Sequence, residues 1–70
     1  MKHDPKTVAE GVGRLVIHDL KRAERGGVVM AITRDWSPRL VIVPGEDIGG
    51  AELTDLGAAV LAEVRRAGRA

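Results

Sequence analysis

Cysteine, phenylalanine and tyrosine are absent, and Trp36 is the only aromatic residue. Without cysteine there is neither a disulfide nor a thiolate metal site. His3 and His18 are the only histidines, and nothing in the spacing sets a third strong ligand beside them, so no metal or cofactor is expected. No apolar run approaches the roughly 20 residues of a membrane span, and no secretory hydrophobic segment opens the chain. A cytoplasmic protein without a membrane partner is the expectation. Seventy residues make one domain at most, and a monomer of that size buries only about 60% of the surface its unfolded chain exposes. With disulfides and metals set aside, a partner chain is the remaining way to complete a core.

Catalytic groupings are also missing. Ser37 is the only serine, and it sits before a proline without a base or orienting group in view. His18 and Asp19 are neighbours, so on a helix they point about 100° apart and make a poor dyad. Gly11-x-Gly13 lacks the preceding strand and third glycine of a dinucleotide fingerprint. A non-enzymatic chain without a small-molecule substrate is expected.

What the sequence does contain is patterned. Residues 1–44 hold eight Lys/Arg against five Asp/Glu, and residues 45–70 hold three against five. A basic body with an acidic tail suggests two partner surfaces. Two helix starts compete near the N-terminus. Thr7 and Glu10 fit a capping box, whereas Asp4-Pro5 offers an earlier cap with proline in the first turn. Residues 1–6 otherwise read as a loop or short edge strand. Val8, Val12, Leu15, Val16, Leu20 and Ala23 then recur at helical spacing, and Gly26-Gly27 ends the helix. Gly11 and Gly13 weaken its first turns by roughly 1 kcal/mol each, which suggests a close backbone approach or a frayed start.

Val28–Arg34 and Arg39–Val43 are β-rich runs around Asp35-Trp36-Ser37-Pro38, which predicts a hairpin. Both of its faces are apolar, and one helix covers only one of them. The other must meet a second chain or the C-terminal segment. Val29, Met30, Ile32, Val41 and Val43 are therefore the candidate dimer interface. Pro44-Gly45 breaks the sheet, and Ile48-Gly49-Gly50 reads as a joint. Residues 51–67 form a second amphipathic helix with Leu53, Leu56, Val60 and Val64 along one stripe and Leu61 at its margin. That stripe suits either the protein's own core or a partner's groove. Arg65 and Arg66 suit the helix end, and Gly68 its stop.

Arg14, His18, Lys21 and Arg25 fall at i, i+4, i+7 and i+11 on one helix face, with Arg22 beside them and Lys2 and Lys6 near its start. A solvated helix face and a phosphate-binding surface both fit this stripe. Trp36 suits either packing across the turn or anchoring an interface.

The segment Ile32-Thr33-Arg34-Asp35-Trp36-Ser37-Pro38-Arg39-Leu40-Val41-Ile42-Val43-Pro44 resembles the hairpin of Phd/YefM-type antitoxins, approximately I-T-R-x-G-x-P-x-A-x-L-V-P. Upstream, Val8–Leu15 resembles the family's V-S-E-A-R-x-x-L, and Ala23–Gly27 its A-x-x-G-E turn. The likeness covers about residues 6–48. Trp36 replaces the turn glycine, Leu40 a small residue, and Val12 stands where arginine is frequent.

The resemblance implies an α+β fold: an N-terminal helix on a small antiparallel hairpin or sheet, then a C-terminal amphipathic helix, in a dimeric YefM-like architecture. Residues 1–46 would dimerise and bind operator DNA as an autorepressor, with Lys6, Thr7, Arg14, His18, Lys21 and Arg25 at the DNA. Residues 47–70 would be a hinged segment neutralising a cognate protein toxin through Leu53, Leu56, Val60, Leu61 and Val64. The competing expectation is a self-contained homodimeric interaction module without DNA binding.

Overall fold

The computed structural model describes residues 3–44 and 50–70. It is a small α+β fold with the order α1 (Pro5–Gly11), α2 (Arg14–Glu24), α3 (Ala31–Arg34), β1 (Val41–Ile42), β2 (Glu52–Leu53) and α4 (Asp55–Arg66). Lys2, Gly45, the 46–47 domain boundary and Ile48-Gly49 of the expected joint lie outside the described residues.

The earlier of the two helix starts is the one used. Asp4 is the cap residue of α1 and Pro5 opens its first turn, where a missing N–H costs nothing. Pro5 and Lys6 are thus helical, not loop or strand. Thr7 lies inside the helix and donates its hydroxyl hydrogen to Asp4 Oδ2 at 3.0 Å, so the Thr7–Glu10 capping box does not form.

The single helix expected from Val8 to Ala23 is two. Val12 and Gly13 are extended, and the chain restarts as α2. A Cβ added at Gly11 or Gly13 would meet nothing within 4 Å. The glycines therefore mark a break, not a close approach. The break also cancels the register that paired Leu15 with Val12: Leu15 is 60% exposed, while Val12 is buried. From Val16 onward the stripe holds. Val16, Ile17, Leu20 and Ala23 face the core. Gly26 ends α2 with φ +75°, and the Gly27 N–H reaches back to the Arg22 carbonyl at 2.8 Å. This left-handed turn favours glycine and satisfies the last helical carbonyls.

The largest departure is the hairpin. Val28–Arg34 is not a strand: Ala31–Arg34 forms α3. Of the second run, Val41-Ile42 is a strand, but it pairs antiparallel with Leu53 and Glu52. The cause is Asp19, on the inner side of α2 and 1% exposed. Its Oδ2 accepts from the Met30 N–H at 3.0 Å and from the Thr33 hydroxyl at 2.7 Å. Met30 is the cap residue of α3 and has no capping side chain. Asp19 does from a distance what the acidic residue of a capping box does locally. A buried carboxyl group without such donors would be strongly unfavourable, so the segment coils where its β-propensity alone would extend it.

The C-terminal helix begins later than expected. Leu53 belongs to β2, and Thr54 caps α4 by accepting from the Gly57 N–H at 3.0 Å. The Thr54 hydroxyl and N–H also donate to the carbonyls of Arg39 and Leu40. Gly57 lies so close to the Leu40 carbonyl that an added Cβ would overlap it. Val60, Leu61 and Val64 are fully buried in one cluster with Val16, Leu20, Leu40 and Val41. Gly68 turns left-handed at φ +73° and stops the helix as expected.

Removal of the Asp19 carboxyl group should lower stability by about 2–4 kcal/mol, since two hydrogen bonds to an acidic side chain are lost in a buried place. Asp19→Asn keeps an acceptor and should cost about 1 kcal/mol. Urea unfolding of the two variants checks this. Equal stability of Asp19→Ala and the parent protein would mean that the carboxyl group does not hold α3.

Candidate nucleic-acid interface

Helix α2 has a buried and an exposed face, with Leu15 exposed at its start and Asp19 buried. Val16, Ile17, Leu20 and Ala23 point inward, and Arg14, His18, Lys21, Arg22 and Arg25 are all exposed. What gives the outer face its character is the fate of the two acidic residues of the same helix. Asp19 is turned inside and consumed by Met30 and Thr33. Glu24 is exposed but held by Arg65 of α4 in a two-pronged pair at 2.6 and 2.9 Å. The Arg65 guanidinium, by this hydrogen bonding first and its charge second, holds the Glu24 carboxyl below its ordinary value. No ion pair to Arg14, Lys21, Arg22 or Arg25 occurs among the described residues. The face is therefore predominantly cationic, and its one exposed carboxylate, Glu24, is paired with Arg65 and near the charge of Arg25.

Arg69 extends this side of the molecule. It lines a shallow groove with Arg14 and Ile17. Its guanidinium donates to the carbonyls of Ala9 at 2.6 Å and Val12 at 2.8 Å. These carbonyls lie where α1 ends and the chain kinks into α2, and that of Ala9 also accepts a long bond from the Val12 N–H. The C-terminal residues thus brace the elbow from which the cationic helix projects.

The other expected contacts are placed less favourably. Lys6 is exposed, but it lines a groove between α1 and α4 that also contains Glu10 and Glu63. Thr7 is exposed with its hydroxyl bonded to Asp4. Among the residues expected at a dimer interface, Met30 and Ile32 are exposed, Val29 and Val43 are half-buried against the core, and Val41 is wholly inside. Val28 and Ile42 add exposed apolar surface. Among those expected to meet a toxin, Leu53 and Leu56 are half-buried, and Val60, Leu61 and Val64 are core residues of this chain. The part of the joint that is described is tightly packed: Gly50 abuts the Gly26 carbonyl, and the Ala51 N–H donates to the Gly27 carbonyl.

No family model, curated protein or solved structure matches the chain.

Asp19, Arg65 and Arg69 are the residues that sequence reasoning missed. Asp19 carried a signal, because it interrupts the apolar face of α2 between Val16 and Leu20. Arg65 and Arg69 carried none, since their partners lie far away in the chain. Among the described residues, no three His, Cys, Asp or Glu side chains converge on a metal-sized site, and no helix is long and apolar enough to cross a membrane.

The Glu24–Arg65 pair makes a pH prediction. A carboxyl group depressed on folding contributes stability that is present above its unfolded value and lost as pH falls through the folded one. Stability should therefore decline below about pH 4.5, the ordinary value for this group, and the loss should be small because the pair is exposed. Side-chain NMR titration should find Glu24 below the ordinary glutamate value, and Arg65→Gln should move it back toward that value. An unchanged Glu24 titration in that variant would show that the pair is absent in solution.

Proposed function

We propose that this chain is a non-enzymatic DNA-binding autorepressor of the antitoxin type, contacting phosphates through the exposed face of α2. One observation carries the reading: three cationic side chains, Arg14, Lys21 and Arg25, in helical register with His18 among them, along a helix whose own carboxylates are buried or paired. A solvated surface helix usually intersperses both signs. Here the acids are withdrawn, which favours an anionic polymer with regularly spaced charges. Duplex phosphates fit that description, and a homodimer would present the face twice to a palindromic site. Exposed Val28, Met30 and Ile42 supply apolar surface for such a dimer.

Toxin neutralisation, the other half of the antitoxin reading, has weaker support. Burying Val60, Leu61 and Val64 is worth about 1.5–3 kcal/mol each. Their sum rivals the whole net stability of a small domain, about 5–15 kcal/mol. A toxin would reach these side chains only by dissolving this fold or by binding the half-buried Leu53 and Leu56. The burial of α4 specifically favours the second reading, a self-contained interaction module in which the C-terminal helix completes the core.

Gel-shift assays on the DNA upstream of its own reading frame separate the two. Three phosphate contacts per protomer, doubled in a dimer, give a slope of about 5 in log Kd against log salt. Arg14→Glu with Lys21→Glu should abolish binding and leave the circular dichroism spectrum unchanged. Absence of binding at low salt would leave the interaction module as the correct description, and salt-independent affinity or full binding by the double variant would overturn phosphate contact by α2.

A further inference from the structure

We propose a second nucleic-acid contact on the opposite chemistry of the fold: a site for one unpaired nucleotide around Trp36, in the connection between α3 and β1. It rests on the nucleic-acid reading above but uses other residues, so the two can fail separately.

Trp36 stands where two shallow grooves meet. One is lined by Ala31, Ile32, Asp35, Trp36 and Ser37 and is mainly apolar. The other is lined by Arg34, Asp35, Trp36, Ser37 and Arg39. Asp35, Trp36 and Ser37 are walls of both. The indole is half-buried: part of it packs on the core, and the rest faces these grooves. A flat apolar surface joined to a pair of guanidinium groups matches a base joined to its phosphate. A simple anion has no use for Ala31 and Ile32, and a purely apolar ligand has none for two arginines. Base stacking on an aromatic side chain with flanking cations is the recurring solution for single strands.

Neither arginine is tightly held. Asp35 is the only described carboxylate at the site, and its ion pair with Arg34 is long, at 3.9 Å, and exposed, beyond hydrogen-bonding distance. Arg39 has no ion-pair partner among the described residues. The Ser37 hydroxyl, exposed between them, can donate to a phosphate oxygen. The Arg34 and Arg39 side chains bind the phosphate, Ser37 adds one hydrogen bond, and the base lies on Trp36 against Ile32.

Because Trp36 is the only aromatic residue, its fluorescence reports the site directly. Titration with an oligodeoxythymidylate of roughly eight nucleotides should quench emission saturably. One phosphate neutralised on a single strand predicts a log–log salt slope of about 0.7. Arg34→Gln with Arg39→Gln, both on the surface, should weaken binding about tenfold or more, and Asp35→Asn should strengthen it. The Arg14→Glu, Lys21→Glu protein should keep the quench even where it loses duplex binding. Absence of saturable quenching at low salt overturns the proposal. So does unchanged affinity in the Arg34, Arg39 variant, an equal response to inorganic phosphate alone, or loss of the quench in the α2 variant. Quenching that survives while no protein binds duplex would remove the operator reading and leave this site standing.

Discussion

A carboxyl group with 1% of its surface exposed must find hydrogen-bond donors, and Asp19 finds them on a segment eleven to fourteen residues away. That requirement organises the molecule. It pulls Met30 and Thr33 onto the inner side of α2 and starts α3 where local propensity favours a strand. With Val28–Arg34 coiled, Val41-Ile42 has lost the partner a hairpin would supply. It pairs with Glu52-Leu53 instead. That pairing delivers Thr54 to the carbonyls of Arg39 and Leu40, and Thr54 caps α4. The apolar faces of α2 and α4 then close over Leu40 and Val41. Each step follows from the one before, and the first is a single buried acid.

The parts of this fold that were legible in the sequence are those with a local physical cause. Pro5 offers one of two helix starts, glycines at Gly26 and Gly68 mark ends, and the 3.6-residue period from Val16 to Ala23 and through Val60 and Val64 marks buried faces. The hairpin was misleading because Val28–Arg34 has genuine β-propensity, a preference that tertiary context readily reverses. The cap of α3 comes from another helix, so no local window contains it. Two-residue strands have no periodicity to detect. The resemblance to Phd/YefM antitoxins rests largely on Ile32–Pro44, and in this fold that stretch runs from α3 into β1 without forming a hairpin.

The candidate interface depends on the same packing. The stripe Arg14, His18, Lys21 and Arg25 was readable, and all four side chains are exposed. Its lack of offsetting carboxylates was not, because that depends on Asp19 turning inward and on Arg65 arriving from the far end of the chain. Arg65 and Arg69 show why the last helix is a structural member. One neutralises the remaining acid of α2, and the other satisfies carbonyls at the α1–α2 elbow. A tail free to leave the body would expose three core side chains, uncover Glu24 and open the elbow together.

Amide hydrogen exchange on the free protein tests most directly whether α4 is part of one cooperative unit. The amides of Leu61 and Val64 should be protected as strongly as those of Leu20 and Ala23 in α2, and all should be lost together on unfolding. Fast exchange throughout α4 beside a protected α2 would contradict this account and restore a hinged, partner-seeking tail.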